Sequence, residues 1–345
     1  GVLKTRAERR DDGSYRIFGQ KIFITWGEHD ASDNIVHLVL ARLNDAPAGV
    51  RGISLFLVPK FIPNEDGSLG ARNDAYCHSL EHKLGIHGSP TCTMIFGDGK
   101  FGEEKGAIGW LIGEEGRGLN CMFTMMNNAR LAVGMQGVAI CEAATQKAIE
   151  YAKERTQGKS SSNDGKGMSP IIEHPDIIRT LLTMKALTQG SRAICFACAH
   201  AIDMSHSATD ADEKKYWAER AALLTPIAKS FSTDAGVQVA SLGIQVHGGM
   251  GFIEETRAAR YLRDSRIAQI YEGTNGIQAI DLVMRKLPQS AGQHVHGYIK
   301  ELKEVVEELR GSNVAGKSAD YIAESIADLE EATKWLQETV AAGET

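Results

Sequence analysis

The sequence predicts an α+β protein with its two kinds of structure segregated along the chain. An antiparallel β-sandwich or barrel comes first and an all-α helical bundle follows. Three observations carry this. Short apolar runs bounded by turn formers fill the first third of the chain with no helical stretch among them. Near Gly118 the apolar spacing changes from about 2 to about 3.6 residues. Beyond it, "LNCMFTMMNNARLAVGMQGVAICEAATQKAIEYAKERTQG" can run as one long helix ending near Gly158.

In chain order, "YRIFGQKIFIT" alternates apolar residues after the turn "DDGS" and reads as β. "NIVHLVLARL" and "GISLFLVPKF" are rich in β-branched residues, and "CTMIFGDG" and "IGWLIGEEGRG" look like two more strands. Within the long helix, Gly134 and Gly137 each cost about 1 kcal/mol relative to alanine. With Ala129, Ala132 and Ala139 beside them, they predict close approach by another helix or a ligand. The polar run "GKSSSNDGKGMSP" reads as a mobile loop, with Ser160 to Asp164 merely solvated. Helices resume at "HPDIIRTLLTMKALTQGSRAICFACAHAIDMS" and "EKKYWAERAALLTPIAKSFSTDAGVQVASLGIQ". "GSNVAGKSAD" reads as a linker before a last helix, "YIAESIADLEEATKWLQETVAA". The expected domains are residues 1–117 (β, truncated at its start), 118–310 (helical bundle) and 311–345 (linker and the start of an extra helical region).

Composition sets bounds. A chain of 345 residues can bury a large core and build more than one domain. A net charge of −6 argues against a nucleic-acid binder with a broadly basic surface. No apolar run is long enough to span a bilayer, and no secretory signal opens the sequence. The six cysteines have no framework spacing, which fits a reducing cytoplasm. Cys195 and Cys198, a lone C-x-x-C in a helix, read as core residues on one face, and no metal site is expected.

Two stretches carry chemistry. "GIQVHGGMGFIEE", Gly243 to Glu255, interrupts the helices with Gly248, Gly249 and Gly251. Such a run lets backbone N–H groups approach an anion, and an interhelical turn would use it too. It does not follow a strand as G-x-G-x-x-G, so it is not a Rossmann fingerprint. "AQIYEGTNGIQ", Ala268 to Gln278, sets a lone carboxylate, Glu272, at a helix break made by Gly273 and Thr274. That carboxylate is either a cap or a chemical tool.

"QVHGGMGF" followed by "RDSRIAQIYEGT", after "KIFIT" in a β block and an arginine-bearing small-residue helix, strongly resembles the acyl-CoA dehydrogenase flavoproteins. The resemblance runs from Tyr15 to about Leu287. "ITWGEHD" and "GISLFLVPKF" resemble the longer-chain branch that includes the 3-methylthiopropanoyl-CoA dehydrogenases. The family's N-terminal helical domain and its flavin-contacting T-E-P-x-A-G-S-D-like segment are not in this sequence. It therefore reads as an internal fragment of a larger enzyme, impaired on its own.

The resemblance implies FAD as cofactor, an acyl-CoA substrate, electron-transferring flavoprotein as electron acceptor, and a homodimer or dimer of dimers. It makes Glu272 the catalytic base, with Tyr271 and the flavin giving an apolar setting that raises the carboxylate pKa. Tyr271 and Gly273 flank the base on the substrate side, where the N–H of Glu272 would help bind the thioester oxygen. Thr274 would cap the next helix beside the flavin diphosphate. Some members take the base from the long helix; the matching position is Ala129, which cannot serve. Arg130 matches an arginine on the CoA side of the site, and Asn127 stands where many relatives have aspartate. Phe23 and Thr25 match an aromatic-x-threonine step against the isoalloxazine ring. Arg155, Gln245, Gly248 and Gly249 match contributions to the neighbouring subunit's flavin. Two other readings are an acyl-CoA oxidase, which passes electrons to oxygen, and a non-catalytic or nucleic-acid-associated relative.

Overall fold

The structure, a computed structural model, describes residues 3–102, 104–165, 167–312 and 316–343. Contacts divide the chain into two compact units, Gly1–Asn128 and Ala129–Thr345.

Among its described residues the first unit holds nine strands: β1 (Arg6–Arg9), β2 (Tyr15–Thr25), β3 (Val36–Leu43), β4 (Ile53–Pro59), β5 (Phe61–Pro63), β6 (Leu69–Arg72), β7 (Ala75–Leu80), β8 (Thr91–Phe96) and β9 (Ala107–Ile112). β1, β3, β4, β9 and β2 pair in that order, and β2 pairs back to β1, which closes a barrel. All these pairs are antiparallel except β1 with β3. Closure leaves no free edge within the ring. β2 is long enough to outrun the ring, and its second half carries β8 and then β7. The barrel is filled by alternate residues of its strands, among them Ala7, Ile17, Val39, Phe56 and Val58, and Met94 of β8 joins the same buried cluster. The register of β2 against β8 shifts between Lys21 and Ile24, a bulge that turns the strand end.

The second unit is helical. α1 (Gly118–Glu154) begins in the first unit and continues into this one. α2 (Pro175–Ser207), α3 (Ala211–His247), α4 (Ala258–Ser265), α5 (Asn275–Asp281), α6 (Gln293–Arg310) and α7 (Ser318–Ala341) follow. Cys141, Ala144 and Ala148 of α1 pack with Met184 of α2 and Ala235 and Val239 of α3. Small residues let these helices come close. A Cβ at Gly137 would lie 2.2 Å from the Ser232 carbonyl oxygen, and one at Gly134 would lie 3.0 Å from that of Ala228. Cys195 and Cys198 are fully buried and face Ser232 and Thr225. α3 starts where Asp210 accepts hydrogen bonds from the N–H groups of Asp212 and Glu213. It runs through Pro226, whose cost the surrounding core offsets.

In the run from Gly158 to Pro170, Ser161, Ser162 and Asp164 are exposed as a solvated loop would have them, and the departure is confined to the serines at its two ends; Lys166 lies outside the described residues. Ser160 and Ser169 are buried. The Ser160 N–H donates to Ser169 Oγ at 3.0 Å, and Ser160 Oγ donates to Glu173 at 2.7 Å. Asn163 Nδ2 donates to Ser169 Oγ at 2.7 Å, and Thr156 bridges to Pro170. Hydroxyls that read as solvating instead bond the loop to itself. Part of the expected linker, residues 313–315, also lies outside the described residues.

Candidate active site

In the first unit, the bulge of β2 sets Phe23 in left-handed backbone (φ +61°), and the residue is 70% exposed. A non-glycine residue held there stores strain, which is common where a side chain is aimed at a ligand. Thr25 lies opposite Thr91 at the strand's end, also exposed. Asn127 is exposed on α1.

In the second unit the remaining candidates fall into two clusters. The first surrounds the break between α4 and α5. A 3-10 turn, Arg266–Gln269, leads into irregular residues, and Thr274 then caps α5, its Oγ1 accepting from the Ile277 N–H at 3.3 Å. Glu272 is left-handed (φ +52°), as is Gly273 (φ +81°). Glu272 is half-buried, and no hydrogen bond or ion pair holds its carboxylate among the described residues. It therefore caps nothing and is free to accept a proton. Tyr271, also half-buried, donates its hydroxyl to Gln136 Oε1 on α1. Burial, with Glu272 alongside, pushes the Tyr271 phenol above its ordinary value.

Arg130 on α1 is 6% exposed, and its Nη1 donates to Asp281 Oδ2 on α5 at 3.0 Å. Its Nε is buried without a partner among the described residues. Two further residues support the break. Lys229 on α3, with no exposed surface, donates from Nζ to the Gly273 carbonyl at 2.9 Å and to Asn275 Oδ1 at 2.8 Å. Gln278 on α5 is buried and donates to the carbonyls of Glu272 and Gly273. Sequence reading passed over both. A lysine in the apolar run "LLTPIAKSF" was the available signal, since an unpaired charge does not stay buried.

The second cluster lines a cavity of about 820 Å³, which includes Arg155, Gln245, Gly248 and Gly249. It shares no lining residue with the break around Glu272. Arg155 follows the end of α1, anchored by its backbone to Tyr151 and Ile171, with its side chain exposed. α3 ends at Gly248, whose φ of +57° only glycine adopts cheaply. A Cβ at Gly248 or Gly249 would meet no atom within 4 Å, so this backbone borders open room. His247 closes the floor, buried and stacked on Tyr151 with centroids 4.5 Å apart. Burial lowers its pKa and favours the neutral ring, while its Nδ1 bonds the Gly243 carbonyl at 2.7 Å. An exposed guanidinium on an anchored backbone, an amide and an unobstructed glycine backbone suit the diphosphate and adenosine of a dinucleotide.

Residues 116–287 match the family model described as acyl-CoA dehydrogenase, C-terminal domain. The chain is 47% identical over 324 residues to a 3-methylmercaptopropionyl-CoA dehydrogenase of Ruegeria pomeroyi, covering 94% of this chain and 54% of that protein. It is 39% identical to a butyryl-CoA dehydrogenase of Syntrophomonas wolfei, covering 96% of this chain and 53% of the other. Among solved structures, Caenorhabditis elegans ACDH-11 in complex with C11-CoA superposes with a TM-score of 0.74 at 27% identity, over 99% of this chain and 52% of that one. The chain thus spans about half the length of the curated relatives it matches.

Proposed function

The chain belongs to the acyl-CoA dehydrogenase family, and from that premise we propose that it oxidises an acyl-CoA thioester to the trans-2-enoyl-CoA with Glu272 as the α-proton base. The observation that carries this is the carboxylate itself. Glu272 stands unpaired at a helix break, in left-handed backbone, with bonded groups on both sides. A base must be free at its oxygens and fixed at its backbone, and this arrangement supports both.

Bound FAD would supply the hydride acceptor for the β carbon, with electron-transferring flavoprotein as the onward acceptor. The residues do the rest. Glu272 takes the α proton, and its N–H, with Gly273 alongside, faces the thioester oxygen so that charge developing there is met by a donor. Tyr271 keeps water off the carboxylate. Arg130 and Asn127 lie toward the CoA. By the family's pattern, Phe23 would stack and Thr25 would hydrogen-bond at the ring of bound FAD, and Thr274 would cap α5 at the diphosphate. Arg155, Gln245, Gly248 and Gly249 receive the dinucleotide of a second copy of the chain. Their separation from the Glu272 cluster supports a site shared between two chains, and hence a homodimer or dimer of dimers. The cysteines are all free thiols, which supports a reducing compartment such as the cytoplasm. Among the described residues no helix is long and apolar enough to cross a membrane.

The test is Glu272→Gln. It should keep FAD and acyl-CoA binding while substrate-driven bleaching of the flavin slows by about 10⁴-fold or more, since Ala129, at the family's other base position, cannot substitute. Bleaching at the normal rate would falsify the assignment. Reduction without oxygen, followed by admission of air, then separates a dehydrogenase from an oxidase.

A further inference from the structure

Holding a lysine with no exposed surface requires compensation, because its charge loses water. Leucine or methionine would fill the room that Lys229 occupies without that cost. Its amine instead spends its hydrogen bonds on the two residues that flank Glu272 and Thr274, through the Gly273 carbonyl at 2.9 Å and Asn275 Oδ1 at 2.8 Å. The grip extends along one face of α3. Asn275 Nδ2 donates to Thr233 Oγ1 at 3.0 Å and to Asp234 Oδ1 at 2.8 Å, and Gln269 Nε2 donates to Asp234 as well. Asn275 Nδ2 also reaches the Ser230 carbonyl at 3.3 Å, and residues 229, 230, 233 and 234 repeat at helical spacing, so a single face holds residues 269 to 275 at both ends. Between those ends the Glu272 carboxylate makes no bond of its own.

We propose that Lys229 is a positioning residue for Glu272: by holding the Gly273 carbonyl and Asn275, it fixes the left-handed backbone at Glu272 and so the direction from which the carboxylate meets the substrate proton. This rests on Glu272 being the base. A consequence concerns pH. Burial pushes the Lys229 ammonium down to about 8; Arg130 on α1 adds to this, and Asp234 on α3 and Glu272 at the break oppose it. Below that pH the grip uses charge-assisted bonds. Above it a neutral amine holds the same acceptors roughly half as strongly. Flavin reduction should therefore decline as pH rises through about 8.

Three measurements on the FAD-loaded full-length protein test this. Lys229→Met should slow substrate-driven flavin reduction at pH 7 by roughly 10- to 100-fold, the scale of a misplaced base, with KM little changed. It should also abolish the decline above pH 8 and speed amide hydrogen exchange in residues 269–275, but not in α2. Asp234→Asn keeps the same acceptor atom but removes the charge that holds the Lys229 pKa up, so the decline should move to lower pH. The proposal is overturned if Lys229→Met leaves rate and exchange normal, or if exchange quickens throughout the chain. It is equally overturned if the alkaline decline stays in place in either variant. Should Glu272→Gln still reduce flavin, the base assignment fails and takes this proposal with it. Should Glu272→Gln be inert while Lys229→Met is normal, only the role of Lys229 fails.

Discussion

Removing Asp281 takes the carboxylate from the buried Arg130 guanidinium, both side chains being more than nine-tenths covered, whereas Asp281 also meets the exposed Arg285 at 3.4 Å. Asp281→Ala should cost about 3–5 kcal/mol in urea denaturation. The double replacement Arg130→Met with Asp281→Leu should recover most of that loss, since apolar side chains of similar size need no partner. The same double variant separates two roles of Arg130. Unchanged acyl-CoA affinity in a stable double variant would show that Arg130 only braces α5, whereas a weakened affinity supports a contact on the CoA side. Arg130 was legible in the sequence as an arginine within a small-residue helix. Its partner lies 151 residues away, and no local pattern announces it. Lys229 and Asn275 are a similar case, 46 residues apart. Glu272 and its break could be read because glycine and threonine mark a helix end in any context.

At the scale of elements, legibility followed the strength of the local period. β2, β3, β4, β8 and β9 and the helices α1, α2, α3 and α7 were readable, while α6 was passed over. β1 was not: "RAER" has no β-branched residue, and pairing with β2 and β3 makes it a strand. β5, β6 and β7 were missed as well, being short or polar at their edges. The glycines of α1 were read as a close approach, and α3 is what approaches. That contact gives a graded prediction. Alanine gains about 1 kcal/mol of helix propensity over glycine at either position. At Gly134 a Cβ meets the Ala228 carbonyl oxygen at 3.0 Å, so a small shift offsets the gain and Gly134→Ala should be near neutral. At Gly137 the Ser232 carbonyl oxygen stands at 2.2 Å, and backbone must move. Gly137→Ala should lose about 1–3 kcal/mol net in urea denaturation. It should also slow flavin reduction, because the displaced α3 carries Lys229, Thr233 and Asp234. Equal stabilities for the two variants would mean that α1 and α3 do not meet this closely.

At the scale of the whole molecule, the question is whether one chain can complete a flavin site. The Gly248 cavity and the Glu272 cluster have no residue in common, and a site shared by two copies makes a prediction that a single-chain site cannot imitate. Gly249→Trp should fill the cavity without disturbing the fold, because a side chain there points into open room. Thr274→Asp keeps a good N-cap for α5 while placing a negative charge where the diphosphate would sit. Each variant alone should lose FAD. In a heterodimer purified through two different tags, a shared site puts both substitutions into one site and none into the other. Such a heterodimer should bind roughly half the FAD of the unaltered dimer, read by flavin absorbance after gel filtration, with light scattering fixing the assembly state. If each site belonged to one chain, every site in the heterodimer would carry one lesion. The mixture would then be as colourless as its parents, and the shared-site reading would have to be given up.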